Sequence, residues 1–512
     1  MKLKHLLLSA ALFAAFGASA QQANVYASDL KANVTGNQAE ITFTLNTHAA
    51  AVDLLIGEKT FSLGTNLDKG VHSVTVTLDG VTGENLPWSV KASAEAVTEP
   101  VKLDDKTTCD NMDFYNARGI KLDNNLESPF FGRIYVAESG HADESRTSNG
   151  LYVFNSAFED VTGQGNTPYA GGIEFTATSA SPQRVFVAKD ALYMCDWSDS
   201  NTSGVFKADP ANLNAPFKPV FEGTHNADGL ITNDEGVAIA GSIVSIWVDG
   251  EGENTVLYTY DEDLQGGKQI FRYDIGALEN PWTSAPTAVE YNNPAGLSVN
   301  MSAAIYPDAN GWWLSQYRWL ENADQPALIH YNSTTGAIDF NSATADEAGV
   351  LVGNSQQGGM TINEEGNLLA IANSDAVKVF EIGETADGAP LLTLKYTIPH
   401  GLNTRVWDLA FDVAGNLYQA NDQQAGLALF ALPKAENTFT TPAIADQYIT
   451  IGGGGPGVPG DVDGNGIVDT ADMSIVIDAI LGLVDCPAAD IDGNGIIDTT
   501  DMSLVIDIIL GL

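Results

Sequence analysis

Gly415-Asn-Leu-Tyr-Gln-Ala-Asn421 followed by Gly426-Leu-Ala-Leu-Phe430 reads as a turn, an apolar strand ending on an amide, and a second strand ending on an aromatic. The unit recurs upstream. Gly132-Arg-Ile-Tyr-Val-Ala-Glu138 precedes Gly150-Leu-Tyr-Val-Phe154, and Asp190-Ala-Leu-Tyr-Met-Cys-Asp196 precedes Gly204-Val-Phe206. Gly311-Trp-Trp-Leu-Ser-Gln316 pairs with Ala327-Leu-Ile-His-Tyr331, and Gly366-Asn-Leu-Leu-Ala-Ile-Ala-Asn373 with Val377-Lys-Val-Phe380. Val256-Leu-Tyr-Thr-Tyr260 with Gln269-Ile-Phe-Arg-Tyr273 is a divergent sixth copy. Copies lie roughly fifty to sixty-five residues apart, and hairpin units of that length cannot cover their own apolar faces, so they stack on their neighbours. The expected fold over residues 101–445 is a β-propeller of six blades, with five or seven left open.

The phrase Asp408-Leu-Ala-Phe-Asp412-Val-Ala-Gly415-Asn-Leu-Tyr418 resembles the blades of the NHL-like propeller superfamily. That resemblance implies a fold and no single activity, because function resides in the site rather than the scaffold. Where blade loops converge, Glu138, Asp196, Asp261, Asp408, Asp422, His400 and Arg405 are candidates for channel chemistry, and a carboxylate pair there would suit glycoside hydrolysis. The same residues at strand ends also cap turn amides, which needs no catalysis. His141, His225 and His330 occur singly and suggest no metal site. Trp312, Trp313, Tyr317 and Trp319 form the densest aromatic cluster, either blade core or a platform for sugar rings.

Ahead of the repeats, Lys2 and Lys4, an apolar run from Leu6 to Phe16 and Ala18-Ser19-Ala20 read as an export signal over residues 1–20. Residues 21–100 then alternate with period two, as in Ile41-Thr-Phe43-Thr-Leu45 and Val74-Thr-Val76-Thr-Leu78, between glycine-bearing turns. This spacing indicates a small antiparallel β-sandwich. Thr42-Phe-Thr-Leu-Asn46, Leu63-Gly64 and Lys69-Gly70-Val-His-Ser-Val74 resemble an Ig-like module of secreted bacterial proteins, usually a spacer.

Behind the repeats, residues 446–460 hold a Gly/Pro-rich stretch that reads as a linker. Residues 461–512 contain one loop written twice: Asp461-Val-Asp-Gly-Asn-Gly-Ile-Val-Asp-Thr-Ala-Asp472 and, 29 residues on, Asp490-Ile-Asp-Gly-Asn-Gly-Ile-Ile-Asp-Thr-Thr-Asp501. Oxygen donors at loop positions 1, 3, 5, 9 and 12, with glycine at 6, wrap a hard cation that needs six to eight oxygens. Two Ca2+ ions are therefore expected. Asp461, Asp463, Asn465, the Ile467 carbonyl, Asp469 (often through water) and Asp472 would hold one. Asp490, Asp492, Asn494, the Ile496 carbonyl, Asp498 and Asp501 would hold the other. No Lys or Arg follows Lys434, so only a cation would relieve the repulsion among these eight aspartates. The tail is expected to be loose without calcium and compact with it.

Each loop is followed by a short helix closed by Gly482 or Gly511. A loop-then-helix duplication without the leading helix of an EF-hand resembles the type I dockerin, over nearly all of residues 460–512. The resemblance implies docking to a cohesin-bearing scaffold or surface protein. By family position the partner-binding residues would be Thr470, Ala471, Ile477 and Asp478, and in the second half Thr499, Thr500, Ile506 and Asp507. Ile-Asp stands where well-studied dockerins often carry Lys-Arg, so the familiar cohesin preference does not transfer. The near identity of the halves suggests two equivalent binding modes.

A balance of 66 acidic against 23 basic residues gives a formal charge of −43, which repels phosphate backbones and anionic membrane surfaces. Nucleic acid is not an expected partner. No run after the leader reaches the ~18 apolar residues of a membrane span. Cys109, Cys195 and Cys486 form no disulfide framework, although a Cys109–Cys195 bridge stays open. The expectation is mainly β: a secreted modular protein whose tail docks it into a polysaccharide-degrading or cell-surface assembly while its propeller binds an extracellular ligand, possible ligands including polysaccharide. The alternatives are a propeller glycoside hydrolase or polysaccharide lyase, and a non-catalytic structural surface protein.

Overall fold

The computed structural model describes residues 23–140, 148–163, 167–169, 171–173, 175, 181–197, 204–226, 229–294, 301–316, 326–345, 351, 358–373, 376–400, 405–421, 425–445, 447–451, 460–463, 468–484, 486–492 and 495–510. The expected export signal lies outside them, as do His141, Tyr317, Trp319, Asp422 and most of the Gly/Pro stretch.

Six antiparallel blades form a ring. Blade 1 holds Ala117–Leu122, Ile134–Glu138 and Gly150–Phe154; blade 2 holds Arg184–Val187, Leu192–Cys195, Val205–Ala208 and Lys218–Pro219. Blade 3 runs Ile243–Asp249, Val256–Asp261, Gln269–Tyr273 and Ala288–Tyr291; blade 4 runs Met301–Pro307, Gly311–Gln316, Leu328–Asn332 and Ala337–Asn341. Blade 5 comprises Met360–Ile362, Leu368–Ala372, Ala376–Glu384 and Pro390–Pro399. Blade 6 takes Val406–Phe411, Asn416–Asn421 and Leu427–Ala431, and its outer strand is Val101–Asp105 from the start of the propeller. Each blade's first strand neighbours the first strand of the next, and blade 6 returns to blade 1, so the ring closes. The six sequence copies are the second and third strands of these blades. They read as unbroken apolar runs because both faces of a blade are covered; Ile134–Glu138 and Gly150–Phe154 are buried at every position. A small sheet of Thr224–His225, Ile231–Thr232 and Ala238–Ala240 sits between blades 2 and 3 in the chain and packs into their shared core.

One turn recurs between first and second strands. Asp412 Oδ1 accepts the amides of Ala414 (3.0 Å) and Asn416 (2.8 Å), and Asn363 Oδ1 accepts those of Asn367 (3.0 Å) and Leu368 (2.8 Å). Gly415 (φ 83°) and Gly366 (φ 68°) take the left-handed backbone that this turn demands.

The sandwich is mainly β as expected, with period-two burial in Gln38–Leu45. One sheet orders Ala27–Thr35, Gln38–Leu45 and Gly70–Thr77; the other orders Asn437–Pro442, Trp88–Ala94, Ala49–Ile56 and Lys59–Leu67. Asn437–Pro442 fell within the span expected to be propeller, yet it pairs along Trp88–Ala94. Ile449–Ile451, within the expected linker, pairs with Gly83–Leu86. The sandwich thus draws strands from both sides of the propeller. Buried amides fasten it: Asn416 Nδ2 and Asn46 Nδ2 both donate to Asn24 O (2.9 Å each), while Asn437 Oδ1 accepts from Val25 N (2.7 Å) and its Nδ2 donates to Ala23 O and Glu95 O (2.9 Å each).

The tail contributes helices α1 (Thr470–Ile480) and α2 (Thr499–Leu510), packed around Val462, Val476, Ala489 and Val505. Among the described residues no helix is long and apolar enough to cross a membrane.

Candidate metal centres and the propeller channel

The described parts of the two tail loops fold alike. Asp472 Oδ1 accepts the amides of Val462 (2.7 Å) and Asp463 (2.9 Å), and its Oδ2 that of Asp469 (2.9 Å). Asp501 does the same for Ile491 (2.7 Å), Asp492 (3.2 Å) and Asp498 (2.9 Å). The last loop residue therefore ties the loop to its helix with three backbone donors, leaving lone pairs directed at the loop interior. Burial pushes the Asp501 carboxyl up, but those donors outweigh it and hold it below the ordinary carboxylate range.

Asp461, Asp463 and Asp472 bring ligand oxygens within 4.8 Å of one another, and so do Asp490, Asp492 and Asp501. The donor set is all oxygen and strongly anionic, which fits a hard divalent cation. Asp469 and Asp498 turn aside to cap the helices, accepting the amides of Ala471 and Thr500 (2.7 Å each), a position that suits contact through water. Asn465, Ile467 and Asn494 lie outside the described residues. Ile496 is described, with its side chain exposed. Of the expected partner-binding residues, Thr470, Ala471, Thr499, Thr500 and Asp507 are exposed, and Ile477, Asp478 and Ile506 half-buried. Seven of the thirteen exposed large apolar side chains in the described chain belong to this short tail, among them Leu481, Leu483 and Leu510, each more than 60% exposed (64%, 69% and 64%).

The channel candidates have a different character. Glu138, Asp261 and Asp408 are buried and engaged with backbone: Glu138 Oε1 accepts Asn116 N (2.8 Å), Asp261 Oδ2 accepts Gly241 N (2.6 Å), and Asp408 Oδ2 accepts Ile120 N (3.0 Å). Burial drives Glu138 well above its ordinary value and Asp261 up to about 6. Asp196 is buried as well, and the His400 ring lies 2.8 Å from Asn373 O. Trp312 and Trp313 are blade core; Trp313 Nε1 donates to Asp308 (3.0 Å). His330 sits fully buried between Asp339 (2.5 Å) and Asp308 (3.1 Å), a satisfied hairpin residue. Burial lowers its proton affinity, but the two carboxylates outweigh that and raise it. Cys109, Cys195 and Cys486 are free thiols, so the open question of a Cys109–Cys195 bridge resolves against it.

Sequence reading missed a cavity of about 920 Å³ at the opposite end of the channel, where the first strands of the blades finish. Lys121, Phe186, Trp247, Tyr306, Thr361 and Phe411 line it, one from each blade. No local pattern marks them, since each stands alone in its own strand.

Residues 459–510 match the family described as the dockerin type I domain. With the loop geometry, that makes the tail a calcium-binding dockerin and the chain a modular protein of the cohesin-docking kind. No curated protein matches the chain. Among solved structures, a protein of unknown function from Bacteroides thetaiotaomicron is 12% identical, covering 78% of this chain and 98% of its own, at TM-score 0.36. An auxiliary nutrient binding protein from the same organism is 9% identical (80% and 98% covered, TM-score 0.38). The PQQ domain of a pyranose dehydrogenase from Coprinopsis cinerea is 14% identical (62% and 93% covered, TM-score 0.37). Likeness at this level says nothing about activity.

Proposed function

We propose that this chain is an exported subunit that attaches, through its calcium-loaded tail, to a cohesin on a scaffold or surface protein. Its propeller is the cargo, binding an extracellular ligand within a polysaccharide-degrading or cell-surface assembly. The observation that carries this reading is the duplicated tail: two acidic clusters with matching caps, in a short segment that also exposes seven large apolar side chains. In this reading the twelve loop residues from Asp461 to Asp501 named above are the ligands of two calcium ions. The exposed Thr470, Ala471, Thr499 and Thr500, with Ile477, Asp478, Ile506 and Asp507 beside them, form the cohesin face. Export follows from the character of residues 1–20. The backbone-bound state of Glu138, Asp261 and Asp408 favours a binding cargo over a glycosidase or lyase acting through them.

The test is capture of the full chain on a panel of immobilised cohesins, with calcium and with chelator. Retention that requires calcium is expected, and Thr470 and Thr499 changed to Asp singly should each leave it, while the double change abolishes it. Loss of binding from either single change would overturn the two equivalent modes. Absence of calcium-dependent capture by every cohesin tried would favour a structural surface protein instead.

A further inference from the structure

The cavity at the strand-end face of the propeller is built in three layers. Its inner end is closed by polar groups from four blades: Lys121 Nζ donates to Tyr306 Oη (2.8 Å), Tyr306 Oη lies 3.0 Å from Thr361 Oγ1, and Asp408 Oδ1 is 3.9 Å from the ammonium. Behind this plug, toward Arg184, Ser245 and Ala304, lies a further space of only about 10 Å³. Its wall is aromatic, with Phe186 edge-on to Trp247 (4.9 Å between centroids) and Trp247 tilted against Tyr306 (5.2 Å). Its rim carries the exposed carboxylates Glu127 and Glu364 beside the cation Lys189, while Asp123 is buried against Ser128 and Asp308 is taken up by His330 and Trp313.

These layers select by charge. An anion meets the two exposed rim carboxylates, Glu127 and Glu364, and a protein of formal charge −43. An organic cation passes the rim but meets the Lys121 ammonium, which Asp408 and Tyr306 keep protonated despite burial. A neutral polyhydroxylated ring satisfies both ends, because each hydroxyl donates to a carboxylate and accepts from an ammonium. Its C–H faces suit aromatic walls. The volume falls within the range of small-molecule sites, about 300–1,000 Å³.

We propose that this cavity binds the terminal units of a neutral saccharide, its rings against Phe186 and Trp247 and its hydroxyls shared between Lys121 and the rim carboxylate Glu364. With its inner end closed by the Lys121–Tyr306–Thr361 hydrogen bonds, the cavity takes a chain end rather than its middle, so the ligand is recognised end-on. The inference rests on the propeller being the ligand-binding cargo, and adds where and what it binds.

The experiment titrates the full calcium-loaded chain with maltose, cellobiose, xylobiose and mannobiose, following tryptophan emission and heat, with galacturonic acid and choline as charged comparators. Ala188→Trp fills the half-buried wall beside Phe186, and Lys121→Met removes the inner donor. At least one neutral disaccharide should bind and shift the emission, and each variant should weaken it about tenfold or more. An unshifted main thermal transition of sandwich and propeller confirms that the variants are folded. Undiminished saccharide binding in Ala188→Trp overturns the cavity assignment and leaves the cargo reading standing. Tighter binding of galacturonic acid or choline overturns the charge argument. No binding of any neutral disaccharide overturns the proposal altogether, while cohesin capture still reports on the docking reading by itself.

Discussion

The sandwich takes strands from both sides of the propeller, whereas the tail builds its core wholly from residues after 460. In the sandwich, Ile41, Phe43, Val52, Leu54, Trp88 and Val90 are buried between two sheets, and buried asparagines join it to blade 6. The tail fully buries only a handful of apolar side chains, Val476 and Val505 foremost, and places two carboxylate clusters beside them. Burial stabilises the first in proportion to area removed from water. In the second the like charges work against folding until a cation is bound, so ligand binding and folding are one event. An Ig-like module expected to be a spacer instead takes strands from both sides of the propeller, and the tail is the part whose order is expected to depend on calcium.

Calcium removal should therefore produce the largest effect and produce it on one side only. With chelator, the segment from Thr470 to Leu510 should lose helical signal and become protease-sensitive, while the main thermal transition of sandwich and propeller stays in place. Equal protease resistance with and without chelator would mean that the small apolar core suffices, and the contrast would dissolve.

Asn437→Ala probes how the sandwich is joined. It removes three hydrogen bonds in a buried setting and leaves backbone groups of Ala23, Val25 and Glu95 without that partner, at a cost of about 3 kcal/mol. Calorimetry should show one transition, shared by sandwich and propeller, moving down as a unit. A separate early transition for the sandwich would make it an appended module after all.

What was legible in the sequence follows from how local each pattern is. The second and third strands of every blade are close in the chain, doubly covered and introduced by a turn residue, so they stand out. The innermost and outermost strands are less marked: the first strand Met360–Ile362 is only three residues long, and the outer strand Val101–Asp105 reads Val-Lys-Leu-Asp-Asp, which no hydropathy rule assigns to blade 6. The calcium loops were readable because each cluster is drawn from a single stretch of twelve residues. The sandwich strand Asn437–Pro442 was not, since Asn437 pairs with a region 342 residues earlier. The cavity was the least legible, because a ring gathers one side chain from each of six distant strands.

Acid should separate the two regions more gently. His330 is held above its ordinary value by Asp308 and Asp339, so its contribution is complete below about pH 6.5 and is lost as pH rises through the raised value. Its partner Asp308 is lowered to about 2, burial being outweighed by His330, and contributes above about pH 3.9, losing that only as pH falls towards 2. Burial raises Asp261 and Asp412 to about 6, which costs stability above that pH and is relieved as pH falls. All these terms leave the propeller as stable at pH 5 as at pH 7.5, or more so. The tail behaves oppositely, since its ligands must be ionised to hold calcium and bind it less well as acid is added. A calorimetric series from pH 7.5 to pH 4 should show the main transition holding or rising down to about pH 5 while the calcium-dependent signal fades. His330→Gln should remove the His330 share of the loss on the alkaline side and leave that of Asp261 and Asp412. Parallel decline of both signals on acidification would show that the two regions share one source of stability.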